Sequence, residues 1–312
     1  MENVLVTGGA GFIGSHVADL LLEQGYEVSV IDDLSHGFME YVNPKAAFHK
    51  VDICNKSKLG DVFEKEKPSW VVHLAAHIDV RESVKNPVHD ARINILGSIN
   101  LLECCRKHNI KKIVFASTGG AIYGEPEHLP AKENHPEAPL CPYGVSKLAF
   151  EKYLGMYYQL YDLEYTSLRY ANVYGPRQDP LGEAGVIAIF TQKILGNETP
   201  IIYGDGEQTR DFVYVKDVAK ANLQALREKT REKTFNIGTG IETTVNEIYG
   251  KLRDLAESDI KSVHDKAVKG EVRNISLDCS LAERELGWNP TTNLELGLEE
   301  TIKWFMDNKT PK

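Results

Sequence analysis

The feature that most constrains the fold of this 312-residue chain is a run of closely spaced glycines near its start, Gly8-Gly9-Ala10-Gly11-Phe12-Ile13-Gly14. A β-rich segment, residues 4–7, precedes the run. Apolar residues follow it at the spacing of one helix face, and Gly25 stands where that helix would end. These apolar residues are Ile13, Val17, Leu20 and Leu21. A strand, a glycine turn and a helix in this order are typical of the first unit of a parallel α/β sheet.

Further β-type segments alternate with helical patterns through the first half of the chain. The predicted strands are residues 4–7, 27–31, 48–51, 70–75, 112–117 and 165–170. Mostly apolar strands separated by helices form parallel sheets that are covered on both faces. We therefore predict an α/β fold with a Rossmann-type doubly wound sheet over residues 1–172. Residues 173–312 are predicted to form a smaller α/β substrate-binding domain, of which segment 234–237 rejoins the sheet.

The glycine run predicts a dinucleotide site. It fits both G-x-G-x-x-G (positions 9, 11 and 14) and G-x-x-G-x-x-G (positions 8, 11 and 14). Glycines let the backbone turn sharply and approach a pyrophosphate, because no Cβ stands in the way. The helix that follows points its N–H groups and its dipole at the phosphates.

Carboxylates at the ends of the next two strands extend this site. Asp32 and Asp33 follow the second strand, where a carboxylate accepts hydrogen bonds from ribose hydroxyls and repels a 2′-phosphate. No arginine stands beside them, so the pattern favours NAD over NADP. Asp52-Ile53 ends the third strand and is a candidate contact for the adenine, although an aspartate there often only caps a helix.

Tyr143 and Lys147 supply chemistry that matches such a cofactor. They open a good helix pattern, in which residues four apart share a face, so the ammonium lies near the phenol. A free tyrosine has a pKa of about 10, and acting as a base near neutral pH requires lowering it by about 3, or about 4 kcal/mol. Lys147 and a positive nicotinamide ring can provide that stabilisation. Tyr41 and Lys45 share the spacing, but Pro44 makes their segment a loop.

A hydroxyl is expected to complete the group at the C-terminal end of a strand, where ligands bind in open α/β sheets. The strand at 112–117 leads into Ala116-Ser117-Thr118-Gly119-Gly120. Either Thr118 or Ser117 can hydrogen-bond a substrate hydroxyl and relay its proton. The candidate catalytic residues Tyr143, Lys147, Thr118 and Ser117 together predict oxidoreductase chemistry on an alcohol.

Composition and the remaining motifs exclude several other functions. A formal charge of −9 argues against nucleic-acid and anionic-membrane partners, and no apolar run approaches a membrane span of roughly 20 residues. The first residues carry no basic stretch before an apolar segment, so no secretory signal is expected. Five cysteines without a C-x-x-C pair favour reduced thiols in the cytoplasm. His73 and His77 are four residues apart, but they end an apolar strand, so no metal site is expected.

These motifs resemble, in order and over essentially the whole chain, those of the extended short-chain dehydrogenases/reductases, and within that family most specifically the UDP-glucose 4-epimerases. The matching stretches are residues 7–14, Asp32-Asp33-Leu34-Ser35, His73-Leu74-Ala75-Ala76, Asn94-Ile95-Leu96-Gly97, residues 143–147, Arg169-Tyr170-Ala171-Asn172-Val173-Tyr174-Gly175-Pro176, Gly204-Asp205-Gly206, Arg210-Asp211-Phe212-Val213 and Leu286-Gly287-Trp288. The resemblance implies an NAD⁺ that stays bound and is recycled. It also implies that Tyr143, with Thr118, takes the proton from O4 of a UDP-hexose while hydride passes to the nicotinamide. The 4-keto sugar would then turn over, and hydride would return to its other face.

The resemblance also implies roles for individual residues. It places around the cofactor Gly8, Gly11, Phe12, Ile13, Gly14, Asp32, Asp33, Ser35, His36, Gly37, Asp52, Ile53, Leu74, Ala75, Ala76, Asn94, Tyr143 and Lys147. It places Asn172, Val186, Tyr203 and Arg210 around the UDP moiety, together with Thr118 and Tyr143 at the sugar. An arginine facing a pyrophosphate would make charge-assisted hydrogen bonds. Members of this family commonly dimerise through two helices, here 91–108 and 143–160, so a homodimer is expected.

Two positions depart from the family pattern. Val268 stands two residues before Gly270-Glu271, where the family usually has an arginine that contacts the pyrophosphate. Lys269 or Arg273 is the candidate replacement, although a lysine lacks the planar fork of an arginine. Ile275 stands near a sugar-facing position at which some relatives have a bulky tyrosine, and its smaller side chain favours admission of N-acetylated sugars.

Gly119-Gly120 narrows the expected reaction. Nucleotide-sugar 4,6-dehydratases and decarboxylases of this family carry acidic residues directly after the catalytic threonine or nearby, in order to act at C5 and C6. Their absence favours simple epimerisation at C4, with UDP-glucose and UDP-galactose of galactose metabolism as the expected pair. The alternatives are a 4-epimerase that prefers a UDP-N-acetylhexosamine or a UDP-uronic acid, another NAD-dependent dehydratase or reductase, and an NAD-binding scaffold without catalysis.

Overall fold

The computed structural model describes residues 2–180, 185–267 and 272–308, which form a parallel β-sheet with helices on both faces and a smaller region of helices and short strands. The strands are β1 (Asn3–Thr7), β2 (Glu27–Asp32), β3 (Ala47–Lys50), β4 (Trp70–His73), β5 (Lys112–Thr118), β6 (Glu164–Tyr170), β7 (Asn172–Tyr174), β8 (Ile201–Tyr203), β9 (Thr209–Arg210), β10 (Phe212–Tyr214), β11 (Thr234–Ile237), β12 (Thr243–Thr244) and β13 (Val263–Asp265). The helices are α1 (Phe12–Glu23), α2 (Lys56–Glu66), α3 (Val80–Lys85), α4 (Pro87–Ala91), α5 (Ser98–Lys107), α6 (Gly119–Ile122), α7 (Pro142–Tyr161), α8 (Val186–Leu195), α9 (Val215–Arg227), α10 (Val245–Leu255), α11 (Ser280–Leu286) and α12 (Leu294–Asp307). A 3-10 turn at Met39–Tyr41 and a π-helical turn at Arg92–Gly97, which joins α4 to α5, complete the elements.

The main sheet contains seven parallel strands in the order β11-β6-β5-β4-β1-β2-β3. Strands β2 and β3 are added on one side of β1. The chain then crosses over, and β4, β5, β6 and β11 are added on the other side of β1. Because all strands run the same way, their carboxyl ends share one edge, and the reversal between β1 and β4 opens a crevice there. The six strands predicted in the first half are present. Strand β11 pairs with β6, with Thr234 opposite Ser167, so segment 234–237 does rejoin the sheet.

The strand predicted at 70–75 is shorter than expected, because β4 ends at His73. The amide of Leu74 donates to the carbonyl oxygen of Thr7 (3.1 Å), but the amide of Ala75 donates to the hydroxyl of Thr7 (3.2 Å). A side-chain acceptor thus replaces the carbonyl ladder at this point. Residues 74–76 leave the sheet at its carboxyl edge as a consequence.

Two apolar layers cover the sheet. Alternate residues of β1 point to opposite faces, so Val4 and Val6 pack with α1 and α9, while Leu5 packs with α2, α5 and α7. The predicted apolar face of α1 is buried at Val17 and Leu21. Each such side chain contributes about 1.5–3 kcal/mol by leaving water. The layers therefore fix the sheet on which the carboxyl-edge residues stand.

The smaller region has an apolar cluster of its own. Helices α8, α10 and α12 pack around side chains that are almost completely buried, namely Phe190, Ile248, Leu252, Leu298 and Ile302. Helix α9 and strand β11 return from this part of the chain to the main sheet. Among the described residues, no helix combines the length and the apolar character that crossing a bilayer requires.

Candidate active site

The glycine turn between β1 and α1, which we call the glycine cradle (residues 8–14), lies at the carboxyl edge of the sheet. Gly8 has a left-handed backbone with φ of 72°, and a Cβ built on it would lie 2.7 Å from the amide nitrogen of Ala75. A Cβ on Gly14 would lie 2.1 Å from the carbonyl oxygen of Gly8. Gly8 and Gly14 are thus the positions at which the neighbouring backbone leaves no room for a side chain. Phe12 and Ile13 open α1, whose first turn contains no acidic residue, so the cradle fits the pyrophosphate of a dinucleotide.

Asp32 shapes the edge of the cradle at the end of β2. Its Oδ2 accepts a hydrogen bond from the amide of Ala10 (3.0 Å), and its Oδ1 accepts one from the amide of Leu34 (2.8 Å). Burial raises the pKa of this carboxyl, and the two backbone hydrogen bonds oppose the rise. Gly37 packs directly on it, because a Cβ there would lie 2.8 Å from Oδ1. A carboxylate held in this way keeps its remaining lone pairs for the hydroxyls of a ribose.

The other predicted adenosine contacts are less buried or serve the chain itself. Asp33 is exposed and accepts hydrogen bonds from the amide and the hydroxyl of Ser35 (2.9 and 2.6 Å), and His36 is exposed beside them. Asp52 is exposed and caps the amide of Cys54 at 2.8 Å. Ile53 is buried in the apolar layer under α5. Of these groups, the exposed Asp33, His36 and Asp52 remain open to a ligand.

Asn94 fixes the loop that lies beside the glycine cradle, which contains Leu74, Ala75 and Ala76. Its Nδ2 donates to the carbonyl oxygen of His77 (2.8 Å), and its Oδ1 accepts from the amide of the same residue (2.8 Å). Nδ2 also donates to Oδ1 of Asp90 (2.9 Å). Asn94 is buried, whereas the three loop residues are half-buried. Asn94 therefore holds the end of this loop at His77.

His73 connects elements of the core. Its Nδ1 lies 2.7 Å from the hydroxyl of Thr7, and its Nε2 lies 2.9 Å from the hydroxyl of Ser98. Burial, with a smaller contribution from Lys147, lowers its pKa to about 3, so the ring is neutral. Within residues 2–180, 185–267 and 272–308, no group of three His, Cys, Asp or Glu side chains could hold a metal ion.

Helix α7 carries Tyr143 and Lys147 to the carboxyl end of β5. The buried Nζ of Lys147 donates to the carbonyl oxygen of Ala116 (2.8 Å) and lies 5.8 Å from the centroid of the Tyr143 ring. Burial lowers the pKa of Lys147 to about 8, although the carboxylates of Asp90 and Glu151 act to raise it. The ammonium and the phenol therefore lie together, and the positive charge favours the phenolate.

Ser117 and Thr118 end β5 and point to opposite sides of the strand. Ser117 is buried, and its hydroxyl donates to Oε1 of Glu151 at 2.5 Å. Thr118 is half-exposed. A Cβ built on Gly120 would lie 4.0 Å from the hydroxyl of Thr118 and 3.9 Å from Oδ1 of Asn172. Thr118 is thus the half-exposed hydroxyl on the side of Asn172, a predicted ligand of the UDP moiety, and Ser117 bonds to the protein behind it.

The predicted nucleotide ligands lie on segments of the smaller region. Val186 begins α8, Tyr203 ends β8 and Arg210 ends β9. The guanidinium of Arg81, on α3, lies over the ring of Tyr203 with its Cζ 5.6 Å from the centroid. This cation–π contact joins the first half of the chain to the nucleotide side of the site.

Of the two candidates for replacing the family arginine, Arg273 lies in the described part of the chain. Arg273 forms an exposed, forked ion pair with Asp205, at 2.8 and 2.9 Å, and its carbonyl oxygen accepts a hydrogen bond from Arg210 at 3.3 Å. Val268 and Lys269 lie outside the described residues, as does Gly270-Glu271. A role for Lys269 therefore stays a prediction.

Apolar packing covers two positions that the sequence associates with the sugar. Ile275 is 3% exposed and belongs to a cluster with Ile122, Tyr123 and Leu277, so protein covers the side chain that was expected near the sugar. A Cβ on Gly119 would lie 2.5 Å from Cδ1 of Leu277. A side chain at position 119 would therefore have to displace Leu277.

Three buried charged residues around the catalytic pair were not found by sequence analysis: Asp90, Glu151 and Arg169. The carboxylate of Asp90 accepts a hydrogen bond from Ser146 (2.5 Å), and Glu151 pairs with Arg169 (2.6 Å). Glu151 had a usable signal, because it continues the four-residue spacing of Tyr143 and Lys147. The others had none, since their positions depend on the packing of separate elements.

The parallel sheet, the glycine cradle and the Tyr143–Lys147 pair define a dinucleotide-dependent enzyme of the short-chain dehydrogenase/reductase type. A sequence profile of the NAD dependent epimerase/dehydratase family matches residues 4–238, which is more than half of the chain. The protein belongs to that family, and the cradle fits the family's cofactor, NAD.

Individual relatives match along the whole chain. The putative UDP-glucose 4-epimerase of Methanocaldococcus jannaschii is 52% identical over 305 residues, covering 98% of this chain and 99% of the relative. The crystal structure of UDP-glucose 4-epimerase with UDP-glucose from Thermotoga maritima has a TM-score of 0.96 at 48% identity, with 98% of this chain and 99% of that one covered. The UDP-glucose 4-epimerase of Thermus thermophilus in complex with NAD has a TM-score of 0.93 at 43% identity, with coverages of 97% and 99%. The similarity thus includes the smaller region as well as the sheet.

Proposed function

We propose that the protein interconverts UDP-glucose and UDP-galactose by NAD-dependent epimerisation at C4. The observation that carries this proposal is the position of Lys147, whose buried ammonium lies beside both the Tyr143 ring and the strand end that bears Thr118. An acid–base group at the carboxyl edge, next to a dinucleotide cradle, suits reversible oxidation of a secondary alcohol. The full-length similarity to UDP-glucose 4-epimerases supports the choice of substrate.

Each residue of the proposed site has its own role in the epimerisation. A bound NAD⁺ supplies reversible hydride exchange with C4 of the sugar. The glycine cradle and Asp32 would hold it. Tyr143 removes the proton from the O4 hydroxyl, while Thr118 hydrogen-bonds the same oxygen and relays the proton. Lys147 stabilises the phenolate. The 4-keto sugar turns within the site, so that the hydride would return to the opposite face of C4 while Tyr143 returns the proton to O4.

The packing around Gly119 supports epimerisation over elimination of water. Loss of water across C5 and C6 needs a further acid and base near the catalytic threonine. Leu277 fills the space at position 119, and position 120 is also a glycine. Proton transfer is therefore limited to Tyr143 and Thr118, which is sufficient for oxidation and reduction at C4.

We assign the UDP moiety to Asn172, Val186, Tyr203 and Arg210, with Arg273 or Lys269 as a further cation. The guanidinium of Arg210 donates a hydrogen bond to the carbonyl oxygen of Arg273 at 3.3 Å, so the two arginines lie on neighbouring segments. Cations in this place offset the net charge of −9 for an anionic diphosphate. Because protein covers Ile275, its small size does not favour N-acetylated sugars. UDP-N-acetylhexosamine and UDP-uronic acid are the second choice.

We further propose a cytoplasmic homodimer that forms through helices 91–108 and 143–160. Several apolar side chains on and beside these helices are exposed, including Leu96 (59%), Met156 (40%) and Leu160 (63%). Large exposed apolar patches mark interaction sites. All five cysteines lie in the described part of the chain and are thiols, which a reducing compartment maintains.

The deciding experiment is incubation of the purified protein with UDP-galactose, UDP-N-acetylgalactosamine and UDP-galacturonate in turn, without added cofactor, followed by chromatography of the products. We expect UDP-galactose to yield UDP-glucose. If one of the other two sugars is converted instead, the proposed substrate is wrong but the proposed reaction, epimerisation at C4, is supported. If all three remain unchanged even after addition of NAD⁺, the epimerase proposal fails.

Tyr143→Phe separates an enzyme from an NAD-binding scaffold. Removing the phenolic oxygen should lower kcat by about 10²–10⁴-fold, the usual contribution of a general acid–base group. The NAD content of the purified variant should remain that of the wild type. A scaffold would show no turnover in either protein.

A further inference from the structure

Glu151 lies one turn beyond Lys147 on α7, just as Lys147 lies one turn beyond Tyr143, so the three side chains share one helix face. Glu151 is 6% exposed. Its Oε1 accepts hydrogen bonds from the Ser117 hydroxyl (2.5 Å) and from Nε of Arg169 (3.0 Å), and its Oε2 accepts one from Nη2 of Arg169 (2.6 Å). A buried carboxylate needs such donors, because a charge without partners is strongly disfavoured in the interior.

Arg169 is itself anchored on its far side. Its Nη1 donates to the phenolic oxygen of Tyr123 (3.1 Å), and its Nη2 also bonds Glu137. Tyr123 donates in turn to Oδ1 of Asn236 in β11 (2.7 Å). Glu151 is therefore tied through Arg169 to β6, to the end of α6 and to β11. The layer beneath the catalytic edge is a single hydrogen-bonded unit.

Two hydrogen bonds fasten the end of β5 to α7. Nζ of Lys147 donates to the carbonyl oxygen of Ala116 (2.8 Å), and the hydroxyl of Ser117 donates to Glu151 (2.5 Å). The next residue is Thr118. Since the proposed base stands on the helix and the proposed hydroxyl stands on the strand, their separation depends on these two bonds.

Charged or titratable groups approach Lys147 from three elements. Tyr143 and Glu151 come from α7, Asp90 comes from α4, and His73 comes from β4. The His73 ring is neutral because of its burial. Among the described residues, the carboxylates of Asp90 and Glu151 are thus the groups that act to raise the pKa of Lys147 against the effect of burial.

We propose that Glu151 is a positioning residue for the epimerase reaction, which holds the Thr118 end of β5 against α7 and balances the charge of Lys147. The inference rests on the proposed function. It gives a role in turnover to a buried side chain that acts only through its neighbours. Both its hydrogen bond to Ser117 and its charge should contribute, and they can be removed separately.

Glu151→Gln tests the charge, because glutamine keeps the shape and one acceptor oxygen. Conversion of UDP-galactose by the wild type is measured first and decides the proposed function independently. In the variant, kcat should fall at least about tenfold while KM changes less than about threefold. The alkaline limb of the kcat profile should move to lower pH by about one unit, because loss of a counter-charge makes Lys147 easier to deprotonate. The content of bound NAD should stay unchanged.

Glu103→Gln is the matched control. Glu103 of α5 accepts a hydrogen bond from Tyr157 of α7 at 2.6 Å, away from the site. This variant also removes the charge of a carboxylate that bonds α7. Glu103 lies on a helix of the proposed dimer interface, so the oligomeric state of the variant is compared with that of the wild type, and at an equal state kcat and the pH profile should keep their wild-type values.

Ser117→Ala keeps the Arg169–Glu151 pair and removes only the bond to the strand end, so it answers the question even if Glu151→Gln does not fold. Its kcat should fall by about three- to tenfold in a protein that stays folded, as far-UV circular dichroism can verify. The proposal is overturned if folded Glu151→Gln keeps the wild-type pH profile, or if Ser117→Ala keeps the wild-type kcat.

Discussion

Two arginine–carboxylate pairs, each with two hydrogen bonds, lie on the two sides of the proposed site, in opposite surroundings. Behind the catalytic edge, the side chains of Arg169 and Glu151 are 2% and 5% exposed and meet at 2.6 and 3.0 Å. On the nucleotide side, those of Arg273 and Asp205 are 52% and 57% exposed and meet at 2.8 and 2.9 Å. The hydrogen-bond distances are similar, so the main difference between the pairs is their exposure to solvent.

That difference sets what each pair can do. Two unit charges about 4 Å apart attract by about 1 kcal/mol in water, which is the limit that the exposed pair approaches. The attraction is about 4 kcal/mol at an effective dielectric constant of about 20, which also describes buried sites. The buried pair therefore fixes elements relative to each other. The exposed guanidinium can exchange its carboxylate for another anion at little cost. The catalytic side is organised before a substrate arrives, whereas the nucleotide side keeps a cation that can change partner.

The largest effect is expected from Arg169→Met, which leaves the carboxylate of Glu151 buried without its partner. Breaking a buried pair from one side costs about 3–5 kcal/mol of unfolding free energy, measurable by urea denaturation. Replacing both residues by methionine should restore part of that loss, because the unpaired carboxylate is removed, although Lys147 then keeps only Asp90 as a nearby carboxylate. If the unfolding free energy of Arg169→Met lies within about 1 kcal/mol of the wild-type value, the buried pair contributes no more than an exposed pair, and the comparison fails.

Gly14→Ala tests how tightly the cofactor side is organised. The new Cβ would lie 2.1 Å from the carbonyl oxygen of Gly8, so the glycine cradle has to open. We expect a loss of about 1–3 kcal/mol in stability and a purified protein that retains little NAD. Gly60→Ala in α2 is the control, since a Cβ there meets nothing within 4 Å, and it should stabilise the protein by about 0.5–1 kcal/mol. An NAD content in Gly14→Ala equal to that of the control would contradict the prediction.

Lys147 should make activity and stability respond to pH in opposite directions. Its pKa is lowered by burial from 10.5 to about 8, so the ammonium is lost above that pH and kcat should fall about tenfold per pH unit. Between about 8 and 10.5 the unfolded chain binds the proton that the folded protein has released. Stability therefore gains from this group as the pH rises through that window. Urea midpoints of the wild type and of Lys147→Met across the window measure the gain, which the variant should lack.

The smallest effect is expected from Arg273→Met. Its thermal midpoint should equal that of the wild type, because the ion pair is exposed to water and salt. The KM for UDP-galactose should rise about threefold, and less at high salt. Arg253→Met, which removes another exposed pair at 2.6 Å, should leave KM unchanged. An unchanged KM in Arg273→Met would direct attention to Lys269.

The sequence alone predicts those features of the fold and of the candidate site whose signal lies in residues close together along the chain. The glycine spacing of residues 8, 11 and 14, the alternation of strands and helices, and the Tyr143–Lys147 pair all depend on neighbours along the chain. The sequence alone does not predict the contacts that form where two separate helices or strands pack together. Ser117 and Thr118 are equivalent in the sequence, and only the side of β5 that each faces distinguishes them.

Long-range pairing also explains the other differences. Arg169 reaches Glu151 because β6 lies beside β5 under α7, which no spacing in the sequence expresses. Ile275 was expected near the sugar by analogy with a position in relatives, but it packs in an apolar cluster that includes Tyr123 and Leu277. Tertiary packing, rather than residue type, determines which of these side chains can meet a ligand.

The return of α9 and β11 to the main sheet limits how the protein can be taken apart. A fragment ending at residue 172 would lose the partner of β6 and the helix that covers α1. Its last strand would then present a row of unpaired N–H and C=O groups, the kind of edge that recruits strands from other molecules. Such a fragment should aggregate instead of serving as an independent nucleotide-binding module. Transplanting the substrate side between relatives would therefore need three junctions, with residues 215–237 left in the recipient.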